Sequence, residues 1–368
     1  MTIPHHTPRA ERIVTIHDIA RTAGVSVQTV SRVMNNRPDV APSTRERVGR
    51  AIDEAGFVPS VAARALSGGN RSIIGVITTA RFSSGHFYPT VIEGCAAEAA
   101  AQNYALFVVP IDDEGTNARA GIDLLIGHRI AGVVVARPLP TYTPAFLATL
   151  RKITVPIMTT GNFRDPLGTI LAIDMDNRAG ARVLTQHLID LGHRRFALIR
   201  GSSEQGGAEE RVAGHLDALA NADIPFNEIA VAEARWELAS GAPALYDILS
   251  RGSDFTALVC HHDDTAIGAI RALSELGKRV PDDIAVVGFE DLPISAYLRP
   301  TLTTVRASAF DIGVASVRRL LGLLPSLPHP QLLPADLIIR ESSGVPLAVR
   351  EAHEKPEAMA RSGAGLPM

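Results

Sequence analysis

The sequence is poor in sulfur and in aromatic side chains, with 2 cysteines, 1 tryptophan and only 5% Phe, Trp and Tyr in 368 residues. Cys95 and Cys260 each sit in an apolar stretch and no CxxC occurs. That excludes a disulfide scaffold and a thiolate metal site, and fits two buried reduced thiols. No apolar run approaches the roughly 18–20 uncharged residues that a spanning helix needs, and Met1 to Arg12 lacks the apolar centre of a signal peptide, so a cytoplasmic chain is expected. Also missing are a P-loop, an HExxH helix and a nucleophile elbow, and no enzyme is expected.

What is present is aliphatic. The chain is 46% apolar and 20% charged, and its wealth of Ala, Val, Ile and Leu predicts buried parallel strands flanked by helices. The length predicts two or three compact units. The net charge of -3 divides unevenly, with +3 up to Asn70 and -6 beyond it. This balance permits phosphate binding by the N-terminal segment, although a solvated helical face would show the same.

Residues 1–13 mix Pro, His and Arg without periodicity and are expected to be a loose tail, as are residues 345–368. Between 14 and 58 three short helices are expected. Thr15, with Asp18 three residues on, caps the first; Ser26 caps the second; Gly24 makes the corner between them. A third follows Pro42, with Ser43 as its cap and Glu46 closing the capping box. Residues 59–70 form a linker with helical tendency. From 71 to 344 the pattern alternates short apolar strands (SIIGVIT, YALFVVP, AGVVVA, VPIMTT, RFALIRG, TALVC, IAVVGF) with amphipathic helices (91–102, 178–191, 211–221 and 264–276). Such alternation predicts two parallel sheets side by side, with a ligand cleft at the strands' carboxyl ends.

The segment VSVQTVSRVMNN has the composition of a helix that reads DNA. Val27, Gln28, Thr29 and Arg32 are expected on its outward face, with Val30, Val33 and Met34 inward. Short polar side chains at a helix start reach base edges in the major groove, and arginine makes two parallel hydrogen bonds to guanine. The stretch TIHDIARTAGVSVQTVSRVMNNRPDVAPSTRERVGRAIDEAGFVPSVAARAL resembles the headpiece of the lactose-repressor (LacI) family of bacterial regulators. The resemblance continues through RSIIGVI, HFYPTVIEG, IDMDNRAGARVLTQHLIDLGHRRFALI, DDTAIGAIRALSELGKRVPDDIAVVGFED and RPTLTTVR.

The resemblance implies an α/β chain: a three-helix helix-turn-helix headpiece, a hinge helix, and a two-lobed domain like periplasmic sugar-binding proteins. It implies base reading by Val27, Gln28 and Arg32, phosphate contacts near Ser26, Thr29, Asn35 and Thr44, and minor-groove insertion by Ala63 and Leu66 of the hinge. The partners implied are double-stranded operator DNA, a small-molecule effector and a second copy of the chain, as homodimer or higher, with no membrane and no cofactor. A solute-binding module without regulatory role would share the two lobes but has no use for the first seventy residues.

For the effector, the resemblance points to Arg211, whose guanidinium offers a rigid fork of donors, and to Trp236, which would stack on a sugar face. Phe87 and Tyr88, in the loop after the first strand, line the same cleft, and Arg137 is a further candidate. His262 replaces a ligand-binding Asn, Glu290 stands where Asp is common, and Ala136 and Gly161 replace polar ligands. These departures leave a sugar, a sugar derivative or a smaller polar or anionic compound open. The run His261-His262-Asp263-Asp264 holds metal-binding residue types, but sequence neighbours rarely converge on one ion without a third ligand, and no metal is expected.

Overall fold

The computed structural model describes residues 14–34, 37–57, 72–79, 85–112, 117–136, 144–161, 171–202, 207–227, 230–325 and 330–344. The chain divides into two compact units, Met1–Ser72 and Ile73–Met368. No helix among the described residues is long and apolar enough to cross a membrane.

The described residues of the first unit form three helices, α1 (Ile16–Ala23), α2 (Val27–Met34) and α3 (Pro42–Glu54). Thr15 and Asp18 form the expected capping box: the Thr15 hydroxyl accepts from the Asp18 amide at 3.4 Å, and the Asp18 carboxylate accepts from the Thr15 amide at 3.0 Å. Gly24 ends α1 in the left-handed region at φ 62°, which glycine adopts without steric cost. Ser26 accepts from the Thr29 amide at 3.1 Å. The expected cap at Ser43 is not formed: α3 starts two residues earlier than that cap would place it, with Ala41 at the cap position and no side-chain cap. Pro42 opens the helix instead, its fixed φ already helical and its missing N–H no loss in a first turn. The core is Ile19, Ala20, Ala23, Val30, Val48 and Ala51. Fully burying each larger aliphatic contributes about 1.5–3 kcal/mol, so this small bundle has little to spare.

The second unit has two parallel sheets. The first lobe carries β1 (Ile73–Thr79), β2 (Ala105–Ile111), β3 (Gly132–Ala136), β4 (Ile157–Thr160), β5 (Leu171–Met175) and β11 (Gln331–Leu333), in the order β11-β5-β4-β3-β1-β2. Its helices are α4 (Phe87–Ala101), α5 (Ala118–Gly127), α6 (Pro144–Leu150) and α11 (Ala309–Leu320). In the second lobe β6 (Phe196–Gly201), β7 (Val231–Ala234), β8 (Ala257–Cys260) and β9 (Ala285–Val287) run in the order β7-β6-β8-β9. With them go α7 (Asn177–Asp190), α8 (Ala208–Asn221), α9 (Leu238–Ser250) and α10 (Asp263–Glu275). Beyond β9, β10 (Thr304–Arg306) pairs antiparallel with β12 (Asp336–Ile338). The chain therefore passes between the lobes three times: after β5, after β10 and between β11 and β12.

Every expected strand contains an observed one, whereas β5, β7 and the short β10 to β12 carry no sufficient apolar run. One helix boundary differs in a way that matters for the site. The expected helix from Val91 begins at Phe87, so Phe87 and Tyr88 form its first turn and not a loop. Both cysteines are buried and unpaired, and burial pushes the Cys95 thiol up to about 12.

The helices α4 and α11 meet through glycine. A Cβ added to Gly94 would lie 2.1 Å from the Phe310 carbonyl oxygen, and one on Gly313 would lie 2.1 Å from that of Val91. Neither backbone can yield without separating the helices. Gly94→Ala is therefore expected to destabilise the second unit by about 1–3 kcal/mol, the usual cost of overpacking; urea unfolding checks this, and an unchanged midpoint would contradict the close contact.

Candidate functional site: a buried charge cluster and an exposed helix

Four elements of the second lobe deliver their side chains to one place. Arg211 lies at the end of the first turn of α8, Trp236 just after β7, His262 at the cap of α10 and Glu290 in the segment after β9. The Arg211 guanidinium is 3% exposed and the Glu290 carboxylate 5%, with Nη2 and Oε1 3.4 Å apart. Arg211 Nε donates to Asn177 Oδ1 at 2.8 Å, and Nη1 donates to the His261 carbonyl. The guanidinium carbon sits 4.0 Å from the Phe289 ring centre and 4.5 Å from that of Trp236, close enough for cation–π attraction.

His262 completes the arrangement. Its Nδ1 accepts from the Asp264 amide at 3.1 Å, so the proton is on Nε2, which faces Glu290 Oε2 at 3.2 Å. The imidazole stacks on Trp236, ring centres 5.6 Å apart and planes inclined by 12°. The histidine thus does two jobs: it caps α10 and clamps the second oxygen of Glu290. Glu290 pays for this with backbone strain, since its φ of 113° lies where L residues rarely go. Hydrogen bonds hold the conformation, from the Glu290 amide to the Val305 carbonyl at 2.8 Å and from the Ala307 amide to the Glu290 carbonyl at 3.4 Å.

The electrostatics follow from burial and pairing. Burial alone would raise Glu290, but the hydrogen bonds from His262 and Arg211 and the positive charge beside it outweigh that and hold the carboxyl down at about 2. Burial alone would lower His262, yet the Glu290 carboxylate draws it above its ordinary value. Burial drives His261 well below its ordinary value, and both its ring nitrogens are buried without a hydrogen-bond partner among the described residues. Asp263 is a brace: its carboxylate accepts from the Leu292 amide, the Ser295 hydroxyl and the Thr304 hydroxyl at 2.8, 2.7 and 2.6 Å. These bonds tie the start of α10 to the segment that carries Glu290.

Two members of the cluster were not anticipated. Asn177, which orients Arg211, donates to Asp174 Oδ2 at 3.3 Å, and burial pushes the Asp174 carboxyl up to about 7. The signal was one acid in the otherwise apolar strand LAIDM. A small groove of about 180 Å³ is lined by His86, Phe87, Thr90, Glu290, Asp291 and Arg306 among others, so Phe87 meets the cluster's edge. Tyr88 packs edge-on against Phe87, ring centres 5.1 Å apart. Arg137 lies outside the described residues. Among those described, no group of His, Cys, Asp and Glu is arranged to hold a metal ion.

In the first unit, the Ser26 and Thr29 hydroxyls lie 2.9 Å apart at the start of α2. Gln28 and Arg32 are exposed, and Arg32 reaches Asp39 at 3.3 Å. Val27, expected outward, is half-buried and packs against the core of the bundle, because as the first helical residue it also closes the apolar side of the corner. Thr44 is half-buried. Asn35, Ala63 and Leu66 lie outside the described residues.

Comparison with known proteins agrees with this division. Residues 15–60 match the model of bacterial regulatory proteins, lacI family, and residues 185–343 match that of a periplasmic binding protein-like domain. The regulator GalR of Escherichia coli is 34% identical over 321 residues, covering 87% of this chain and 92% of GalR. The chain belongs to the lacI family of bacterial regulatory proteins. The family's lactose operon repressor from Escherichia coli is 31% identical over 352 residues, 95% of each chain. The crystal structure of the lac repressor dimer bound to operator and the anti-inducer ONPF superposes with a TM-score of 0.81, covering 91% of this chain and all of that one at 31% identity. A complex of the regulator CelR with cellobiose gives 0.65 at 29% identity, covering 89% and 99%. These lacI-family relatives are transcriptional regulators, not enzymes.

The raised carboxyl of Asp174 has a signed consequence. Between its ordinary 3.8 and about 7 the folded chain keeps a proton that the unfolded chain has released, so stability falls as pH rises through that window. Asp174→Asn removes the term. Chemical unfolding from pH 4 to 8 is expected to show the variant gaining on the wild type as pH rises; parallel curves would refute the buried-acid account.

Proposed function

We propose that this lacI-family chain is a transcriptional repressor whose grip on operator DNA is set by a small polar effector, a sugar or sugar derivative, held around Arg211. The observation that carries the reading is α2. In a headpiece of this family, its capped start leaves Gln28 and Arg32 exposed, the side-chain types that read adenine and guanine edges. Ser26, Thr29 and Thr44 stand near the phosphates, with Asn35, and Ala63 and Leu66 of the linker enter the minor groove. Val27, half-buried, offers only its outer methyl surface to a base. Arg32 must leave Asp39 to reach DNA, a small cost for an exposed pair.

The proposed division of the chain is a headpiece to residue 58, a hinge over 59–70 and an effector domain over 71–344. Two copies place two headpieces on successive half-sites of a near-palindrome, as the operator-bound dimer of the lac repressor supports by analogy. The target places the protein in the cytoplasm. The effector acts by preferring one closure of the lobes, and a tenfold preference changes operator affinity by about 1.4 kcal/mol per site. Arg211, Trp236, His262 and Glu290 form the proposed effector floor, with Phe87, Tyr88 and Arg137 contributed from the first lobe.

Arg32→Ala is expected to weaken binding to the cognate operator by about 1–3 kcal/mol while changing random-duplex binding little, measured by fluorescence anisotropy; equal loss on both would rule out base reading. Arg211→Lys keeps the charge but not the fork. It is expected to abolish the effector's influence on operator affinity and to spare affinity without effector, and a variant responding like wild type would remove Arg211 from the site.

A further inference from the structure

The charges of the Arg211 cluster cancel from within. Glu290 offers both oxygens inward, one to Arg211 at 3.4 Å and one to His262 at 3.2 Å. Asp174 stands behind Arg211 through Asn177, and Asp264 lies 3.8 Å from His262. Of the neighbouring arginines, Arg200 pairs with Glu209 at 2.6 Å, while Arg306 and Arg340 share the one carboxylate of Asp291 at 2.8 and 2.6 Å. An anionic ligand reaching Arg211 would meet a guanidinium whose charge Glu290 already answers. It would also desolvate beside Glu290, where a like charge in a low-dielectric setting is severely disfavoured.

What the cluster leaves over suits an uncharged, hydroxyl-bearing molecule. Arg211 has five N–H donors, of which three are engaged. The buried Nε1–H of Trp236 has no acceptor among the described residues, and an orphaned donor of this kind is costly unless a ligand supplies the acceptor. The ring itself is half-buried, a platform for an apolar sugar face.

We infer that Glu290, fastened between Arg211 and His262, is a charge filter that admits neutral polyols and sugars to the cleft and excludes sugar acids and sugar phosphates. The inference rests on the reading of this cluster as the effector site. Glu290 acts as a specificity residue: it fills the place on Arg211 that a ligand carboxylate or phosphate would otherwise take.

The test is a titration-calorimetry and thermal-shift panel on the full chain, using neutral hexoses, pentoses and disaccharides, each paired with its uronate or 6-phosphate. For the wild type, at least one neutral sugar is expected to bind, and its anionic partner about a hundredfold more weakly or not at all. In Glu290→Gln, which keeps the shape and removes the charge, that gap is expected to narrow by about tenfold or more. Wild-type binding of an anionic member as tightly as its neutral partner overturns the filter while leaving the effector site standing. Silence of both proteins towards the entire panel overturns the effector-site reading and the filter with it. The wild-type comparison decides the point even where Glu290→Gln fails to fold.

Discussion

A guanidinium in a protein interior is affordable only when its charge and its donors are met, and the second unit is organised around meeting those of Arg211. Glu290, Asn177 and the His261 carbonyl answer its hydrogen bonds, and Trp236 and Phe289 cover its faces. Breaking such a pair by removing one partner typically costs about 3–5 kcal/mol, because the survivor is left charged and buried. The cluster consequently fixes the positions of α7, α8, α10 and the segment after β9 relative to one another. A ligand that alters it acts on all four elements at once.

This arrangement also explains why the strained backbone at Glu290 persists. The φ of 113° aims the carboxylate at both Arg211 and His262, and hydrogen bonds to the β10 segment hold it there. β10 leads directly into α11 of the first lobe, so the strained residue sits beside one of the three passages between lobes. An effector contacting Glu290 touches the connection that lobe closure must move, which is the physical content of the proposed coupling.

Much of this was legible in the sequence because the signals are local. Thr15 with Asp18, Gly24 and Ser26 each name a cap or corner by side-chain chemistry alone, and the seven apolar runs name seven strands. Arg211, Trp236, His262 and Glu290, separated by up to 79 positions, were each named from the sequence, and the structure sets them side by side. Other features rest on tertiary context. Pro42 displaced Ser43 as the opening of α3 because a fixed φ outranks a hydroxyl one residue further on. Phe87 and Tyr88 joined α4 because packing against the lobe core extended the helix upstream. Asp174 and Asn177 stayed hidden because a single acid in a five-residue strand has no periodicity to mark it. The same holds for the second role of His262, since no sequence pattern shows that a cap residue will also clamp a distant carboxylate.

The account as a whole stands on the claim that the first unit reads sequence in duplex DNA. The most direct measurement is selection of bound duplexes from a random library by the full chain at moderate salt, followed by sequencing. The account predicts enrichment of one near-palindromic site with two equivalent half-sites. Recovery of no motif beyond the starting library, across repeated rounds with and without sugars, would contradict it.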